Sequence, residues 1–305
     1  MSADMPQFLQ ANETVNGVSL HYRLGGPEGG RPVILWHGFL STGNVWRKVA
    51  PDLARAGYRV LIPDMRGYGD SDKPEGTAGY DARSLMEETR ALTAAIGFGR
   101  NLPLLLAAHD MGGLPALIWA ADHANEIAAL AYIEAPVMLA AALKAAFTFD
   151  RAHMAEGSMW WWLLPLAPDV PERLIVGNER AFLTWFHRHM AHPEAIEPAA
   201  LNEVLRTFHG TEGVLGAMGL YRAAFDSIDQ TEPLIANKIT TPVLAIGGRK
   251  GLGDKVGQMM AQVATIVTAV TLEDSGHFVP EEQPAETVRH LMALADRTMN
   301  EGVQT

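Results

Sequence analysis

The chain has 305 residues, 48% of them hydrophobic, which is enough for one large domain or for a core carrying an insertion. A formal net charge of −11 argues against a nucleic-acid or anionic-membrane surface. The absence of cysteine excludes disulfides, thiol catalysis and cysteine metal sites together.

The first residues lack the basic region and apolar run of a signal peptide, and no apolar stretch approaches the roughly 18–20 residues of a membrane span. A soluble, cytoplasmic protein is expected, with neither nucleic acid nor membrane as partner. Residues 17–23 read as a strand, Gly25-Gly26-Pro27-Glu28-Gly29-Gly30 as a hairpin-type connection, and residues 32–36 as the next strand. That strand runs into His37-Gly38-Phe39-Leu40, a loop at a strand's carboxyl edge. Residues 46–56 show a helical pattern that Gly57 stops. A strand at 58–63 follows, then a loop dense in turn formers from Asp64 to Pro74, then a helix at 84–96.

Residues 104–107 form a short apolar run with the character of a buried parallel strand, ending in Ala108-His109-Asp110-Met111-Gly112-Gly113, where a helical pattern begins at once. This is the small-x-nucleophile-x-small turn of a nucleophile elbow, with aspartate where serine usually stands. Ala108 and Gly112 suit a turn in which backbones approach too closely for larger side chains. The helix start behind Asp110 favours negative charge there. The other reading is a structural aspartate capping that helix.

Residues 127–133 form another apolar strand and deliver Glu134 at its end. From about Pro136 to Leu234 strand-like runs give way to helix-period segments rich in Ala, Trp, His and Phe. Strands return at 242–246 and 266–272, the latter before Glu273-Asp274-Ser275-Gly276-His277. Residues 1–135 and 235–305 are therefore expected to form a parallel α/β core, and 136–234 an all-helical insertion. Residues 300–305 read as a frayed tail.

Four separated stretches, His37-Gly38-Phe39, the Asp64 to Asp72 loop, His109-Asp110-Met111-Gly112 and Gly276-His277-Phe278, resemble in this order the α/β-hydrolases, in their epoxide hydrolase and dehalogenase branch. The resemblance implies the α/β-hydrolase fold, a mostly parallel central sheet flanked by helices with an inserted helical cap, working without cofactor or metal. Its substrate would be a small apolar epoxide or halogenated compound, with water as second reactant. Cif-type relatives form dimers, which makes a homodimer an expectation.

A carboxylate with an ordinary pKa near 4 is already ionised at neutral pH, so Asp110 needs no base to attack an sp³ carbon. The resulting ester does need a base for its hydrolysis. The resemblance assigns that part to His277, in a turn expected to expose the ring. Two carboxylates compete to orient His277: Glu134, in a Glu-Ala-Pro stretch resembling the acid loop of the Cif-type epoxide hydrolases, and Asp254, in a Gly-rich loop where a solvated aspartate is ordinary. Glu134 is preferred. Family geometry makes the backbone N–H groups of Phe39 and Met111 the oxyanion donors. Leu40 departs from the proline that many relatives carry, which removes a source of loop rigidity.

Tyr221 resembles the cap tyrosine that donates to an epoxide oxygen; its other reading is a core residue on the Met218, Tyr221, Phe225 stripe. A second donor is expected from the first half of the cap, where the register gives Trp162, with His153 nearby as a substitute. Alternatively, tryptophans 160–162 simply wall an apolar cavity. Trp46, Leu114, Trp161 and Phe278 are the further expected pocket residues.

Dehalogenation by the same three residues is the competing activity. Haloalkane dehalogenases take halide-binding N–H donors from side chains where Phe39 and Met111 offer none, although Trp162 remains a donor candidate. The stretch from Gly276 to Pro284 resembles fluoroacetate dehalogenases, but their arginines after the nucleophile are Met111 and Leu114 here, and a charge-assisted carboxylate clamp is lost. No Gly-x-Ser-x-Gly is present for a serine esterase, and the Gly247 to Gly253 stretch fits neither a Walker loop nor a dinucleotide fingerprint. His187, His189 and His192 read as packed or solvated residues, not as metal ligands. A non-catalytic binding protein on this fold, the third reading, predicts a missing member of the trio.

Overall fold

A computed structural model describes residues 5, 7–100, 102–147, 151, 160–192 and 194–299. Its centre is an eight-stranded sheet. The strands are β1 (Leu9–Val15), β2 (Val18–Gly25), β3 (Arg31–Trp36), β4 (Tyr58–Pro63), β5 (Leu104–His109), β6 (Ile127–Ile133), β7 (Val243–Gly248) and β8 (Val267–Leu272), in the order β1-β2-β4-β3-β5-β6-β7-β8. β2 is antiparallel to both β1 and β4, and every later pairing is parallel. The inner strands β5 and β7 are buried at every residue, which is why they read as continuous apolar runs and not as alternation.

The sequence reading misplaced one connection. Residues 25–30 do not close a hairpin, because β2 pairs with β1 and β4 while β3 lies between β4 and β5. The hairpin is one step earlier: Asn16 and Gly17, with φ of 52° and 81°, turn β1 into β2 in the backbone form that a two-residue hairpin requires. β1 gave no apolar signal because it is an edge strand whose first six residues are all exposed or half-buried. The helix expected at 46–56 is also shorter. Gly43–Trp46 makes a separate 3₁₀ turn and α1 spans Ala50–Arg55, with Pro51 in the first turn where its missing N–H costs nothing.

The remaining core helices follow their end signals. α2 (Ala82–Ile96) starts where the Asp81 side chain accepts from the Ser84 N–H at 3.1 Å and stops at Gly97 with φ of 69°. α3 (Gly113–Asp122) follows β5 through one 3₁₀ turn, Asp110–Gly112. Between β6 and β7 the described residues contain helices and no strand: α4 (Ala140–Ala146), α5 (Trp160–Leu163), α6 (Val170–Ile175), α7 (Glu179–Met190), α8 (Pro198–Thr207), α9 (Gly210–Arg222) and α10 (Ala224–Thr231). α11 (Lys255–Val263), α12 (Val279–Glu282) and α13 (Pro284–Met299) complete the chain. No described helix is long and apolar enough to cross a membrane.

Because β3 to β8 run parallel, the loops after β3, β5, β6 and β8 open at one edge of the sheet, where such folds bind ligands. The helical segment lies over that edge. α9 meets the loop after β4 at backbone distance: a Cβ on Gly67 would stand 2.4 Å from the Gly216 carbonyl, and one on Gly216 2.8 Å from that of Gly67. The Tyr68 hydroxyl donates to the Ala217 carbonyl at 2.8 Å and closes the contact.

Candidate active site

Asp110 opens the turn between β5 and α3 with φ of 52°, a left-handed conformation that costs a non-glycine residue about 1–3 kcal/mol and is sustained by its surroundings. The surroundings are tight. A Cβ on Gly38 would stand 2.4 Å from Asp110 Cβ and Oδ1, and one on Gly112 would stand 2.3 Å from the His37 carbonyl. The Phe39 N–H donates to Asp110 Oδ1 at 2.6 Å, and the Met111 N–H also bonds the carboxylate. Burial alone would raise the Asp110 pKa, but the His277 imidazole close by and the Met111 N–H hold it below the usual carboxylate range. Asp110 is a carboxylate at neutral pH, with one oxygen held and the other free to react.

His277 follows β8 and is only 3% exposed, so the turn does not expose the ring as the sequence reading expected. The ring packs instead against His109 and Phe278, with centroids at 4.7 and 5.1 Å. Its Nε2 lies 3.3 Å from Asp110 Oδ2, an ion-pair distance, yet makes no hydrogen bond among the described residues. Its Nδ1 is 3.3 Å from Glu134 Oε2. Burial would lower the His277 pKa, but the two carboxylates outweigh it and raise it well above the ordinary imidazole range. The resting pair is imidazolium and carboxylate.

Of the two candidate acids, the structure brings Glu134 to His277. Glu134 is fully buried with φ of 47°, and its Oε1 accepts from the N–H groups of Gly248 at 2.7 Å and Leu252 at 2.9 Å. A Cβ on Gly251 would stand 2.3 Å from Glu134 Oε2, so the Gly-rich loop wraps the carboxylate with backbone. Asp254, the competing candidate, stands at the surface: its side chain is 61% exposed and engages Arg249 and Thr271.

Tyr221, on α9, is 2% exposed, with its ring edge-on to Phe39 at 4.6 Å and to Trp162 at 5.2 Å. Burial first, then the charge of Asp110, pushes its hydroxyl well above the usual range, so it keeps its proton. The Phe39 ring also meets Phe186 at 5.6 Å, and Phe186 meets Trp161 at 6.4 Å. Trp162, Tyr221, Phe39, Phe186 and Trp161 thus form one continuous aromatic wall beside the carboxylate. Phe278 packs against His277, while Trp46 and Leu114 are buried in the main core. His153 lies outside the described residues.

Three residues near the site carried no role in the sequence. His109 Nε2 donates to the His277 carbonyl at 2.8 Å, and burial lowers its pKa to about 3, so it is a neutral prop beneath the imidazolium. His37 donates from Nδ1 to the Gly38 carbonyl at 3.0 Å and accepts the Met65 N–H on Nε2 at 3.0 Å, tying the loop after β3 to the loop after β4. Tyr68 packs edge-on to His37 at 5.2 Å, close enough for Asp110 to raise its pKa after burial has. The His37-Gly38-Phe39 motif signalled His37; Tyr68 lay inside the Asp64 to Asp72 stretch, but nothing in that stretch gave it a role.

Among the described residues one cluster, His21, Asp64 and Asp70, has ligand atoms close enough to share a cation. Its charge is already answered. Asp64 pairs with His21 at 2.7 Å and Arg23 at 3.6 Å, and Asp70 pairs with Arg206, so the residues present do not fit a metal.

A family profile described as alpha/beta hydrolase fold matches residues 31–284. The soluble epoxide hydrolase of Corynebacterium sp. (strain C12) is 28% identical over 278 residues, 88% of this chain and 91% of that one. The fluoroacetate dehalogenase of a Burkholderia species is 26% identical over 289 residues, 91% of this chain and 90% of that one. Among solved structures, Cfl2 of Burkholderia cenocepacia is similar with a TM-score of 0.86 at 34% identity, over 95% of this chain and 97% of that one.

Proposed function

The chain belongs to the α/β-hydrolase family, and from that premise we propose that it opens an epoxide to a vicinal diol through an ester on Asp110. Residues 136–234 would act as the cap over a core made of 1–135 and 235–305. The observation that carries the reading is that Phe39 joins the two groups, its N–H on Asp110 Oδ1 at 2.6 Å and its ring edge-on to Tyr221 at 4.6 Å: Asp110 can attack while Tyr221 supplies the acid.

In the first step Asp110 Oδ2 bonds to one oxirane carbon, the carbon–oxygen bond breaks, and the departing oxygen takes the Tyr221 proton. Trp162 stands edge-on to the Tyr221 ring, and its indole N–H would be the second donor. Esterification removes the Asp110 charge that had raised the His277 pKa, so the imidazolium can release its proton to the tyrosinate and become a base. His277, oriented by Glu134, then takes a proton from water, whose oxygen attacks Asp110 Cγ. Phe39 and Met111 N–H groups hold the oxyanion. Collapse breaks the Cγ–O(alkyl) bond, His277 protonates the departing alkoxide, and the new carboxyl returns its proton to His277. The aromatic wall favours an apolar substrate.

Dehalogenation is the second reading, favoured by the Trp162 indole packed on Tyr221 and by the fluoroacetate dehalogenase relative. Parallel panels of styrene oxides and haloalkanes separate the two. Diol formation that Asp110→Ala abolishes, with His277→Ala trapping an adduct seen by intact mass, supports the proposal. Halide release with untouched epoxides makes the chain a dehalogenase. In one turnover in heavy-oxygen water with excess enzyme, label absent from Asp110 and present only in product rules out the ester.

A further inference from the structure

One turn of α7 touches both loops that serve the ester. His187 Nε2 donates to the Leu40 carbonyl at 3.1 Å, and three residues later the Met190 carbonyl accepts the N–H of His277 at 2.8 Å. The first contact lies next to the Phe39 N–H that bonds Asp110, and the second is on the backbone of the histidine itself. The Phe278 ring, directly after His277, packs edge-on to His187 at 5.0 Å. Gly276 accommodates the approach, since a Cβ there would stand 2.8 Å from the Met190 carbonyl.

Leu40 sits at φ of 49°, a left-handed conformation that a leucine adopts only under external constraint, in a loop without the proline stiffening noted for many relatives. His187 holds the carbonyl of this residue. It is 6% exposed, and its one hydrogen-bond partner among the described residues is a carbonyl, which can only accept, so its proton sits on Nε2. Its Nδ1 is then a buried acceptor with no partner among the described residues. An apolar side chain would fill the same space without leaving that acceptor unsatisfied. What the imidazole adds over an apolar side chain is the Nε2–H on Leu40.

We propose that His187 is a positioning residue that, with the carboxyl end of α7, holds the Phe39 donor and His277 in register for hydrolysis of the ester. The proposal rests on the covalent mechanism above. Ring opening depends on Asp110 and Tyr221, which the elbow after β5 and helix α9 carry, and which α7 reaches only indirectly through Phe39. Ester hydrolysis depends on the Phe39 N–H meeting an oxyanion and on His277 aligned with water, so loosening either loop slows the second step selectively.

The test is quench-flow measurement of ester formation and ester hydrolysis on one styrene oxide substrate, in wild type, His187→Gln and His187→Asn. Glutamine carries an amide N–H at about the reach of Nε2; asparagine is one methylene short. Ester hydrolysis is expected to fall about tenfold in His187→Asn, with formation within twofold of wild type, so that ester accumulates; His187→Gln is expected to restore hydrolysis. Thermal melts of both variants check the fold, and His187→Phe replaces His187→Asn if the latter does not fold. Equal loss of both steps, or no difference between the glutamine and asparagine variants, overturns the positioning role. Absence of any ester even in His277→Ala, in a fully active wild type, overturns the covalent mechanism and this proposal with it.

Discussion

Glu134 and His277 meet across an intervening strand. Glu134 leaves β6, His277 follows β8, and the loop after β7 closes around the carboxylate so that its Oε2 stands 3.3 Å from the imidazole Nδ1. A buried carboxylate in that position sets the tautomer of the histidine and stabilises its charged form.

Glu134→Gln is therefore expected to lower kcat by roughly 10²–10⁴-fold, because the amide can hold the ring but not its charge. Asp254→Asn, at the surface with Arg249, is expected to leave kcat within about twofold. Steady-state kinetics of the two variants checks both. A large loss in Asp254→Asn with an active Glu134→Gln would reverse the assignment.

That choice shows where sequence legibility ends. The elbow, the His37-Gly38-Phe39 loop and the Gly276-His277-Phe278 turn are local patterns, each dictated by a tight turn at a strand end, and they are visible as such. Glu134 and Asp254 both follow strands, so the local pattern could rank them but not decide. The decision lies in how residues 248–253 fold their N–H groups onto Glu134, a long-range contact. The same holds for Tyr68 and His187, whose partners stand 149 and 147 residues away. β1 was invisible for a different reason: an exposed edge strand carries almost no apolar signal.

The two half-reactions are expected to respond differently to pH. Asp110 has its pKa held below the ordinary carboxylate value, so ester formation persists as pH falls, down to below about 4 where the fold allows. Ester hydrolysis requires neutral His277 and falls as pH drops through the His277 pKa of the ester form. That pKa lies below the one of the resting enzyme, because Asp110 no longer carries its charge. Asp110→Asn mimics the loss of charge, and NMR titration of the imidazole should find the His277 pKa lower in this variant than in wild type. An unchanged value would remove the electrostatic switch between base and imidazolium.

Tyr221→Phe removes the acid while keeping the ring that packs on Phe39 and Trp162. Ester formation from an epoxide is expected to slow by roughly 10²–10⁴-fold, with ester hydrolysis unaffected once the adduct has formed. Single-turnover kinetics separates the steps. Equal ester formation in the two proteins would return Tyr221 to the apolar core stripe.

Asp64 anchors the loop that presents Tyr68, and it does so as a buried charge. Its carboxylate is 1% exposed, bonds His21 at 2.7 Å, accepts the Gly43 N–H at 2.7 Å and faces Arg23 at 3.6 Å. Burial alone would raise its pKa, but His21 and Arg23 overcome this and hold it far below the ordinary range. A carboxylate depressed on folding contributes stability that is present above its unfolded pKa and lost as pH falls below about 4. Asp64→Asn leaves the Arg23 guanidinium, 1% exposed, with only the Glu203 carboxylate at 3.8 Å, and is expected to destabilise the fold by about 3 kcal/mol near neutral pH. Urea unfolding at about pH 7 and again at about pH 3 should find the gap between wild type and variant narrowing at the lower pH, since the unfolded wild-type chain then binds a proton at Asp64 that the folded chain, with its pKa held far lower, does not. A gap that is the same at both pH values would mean that the lost stability is packing and not the ion pair.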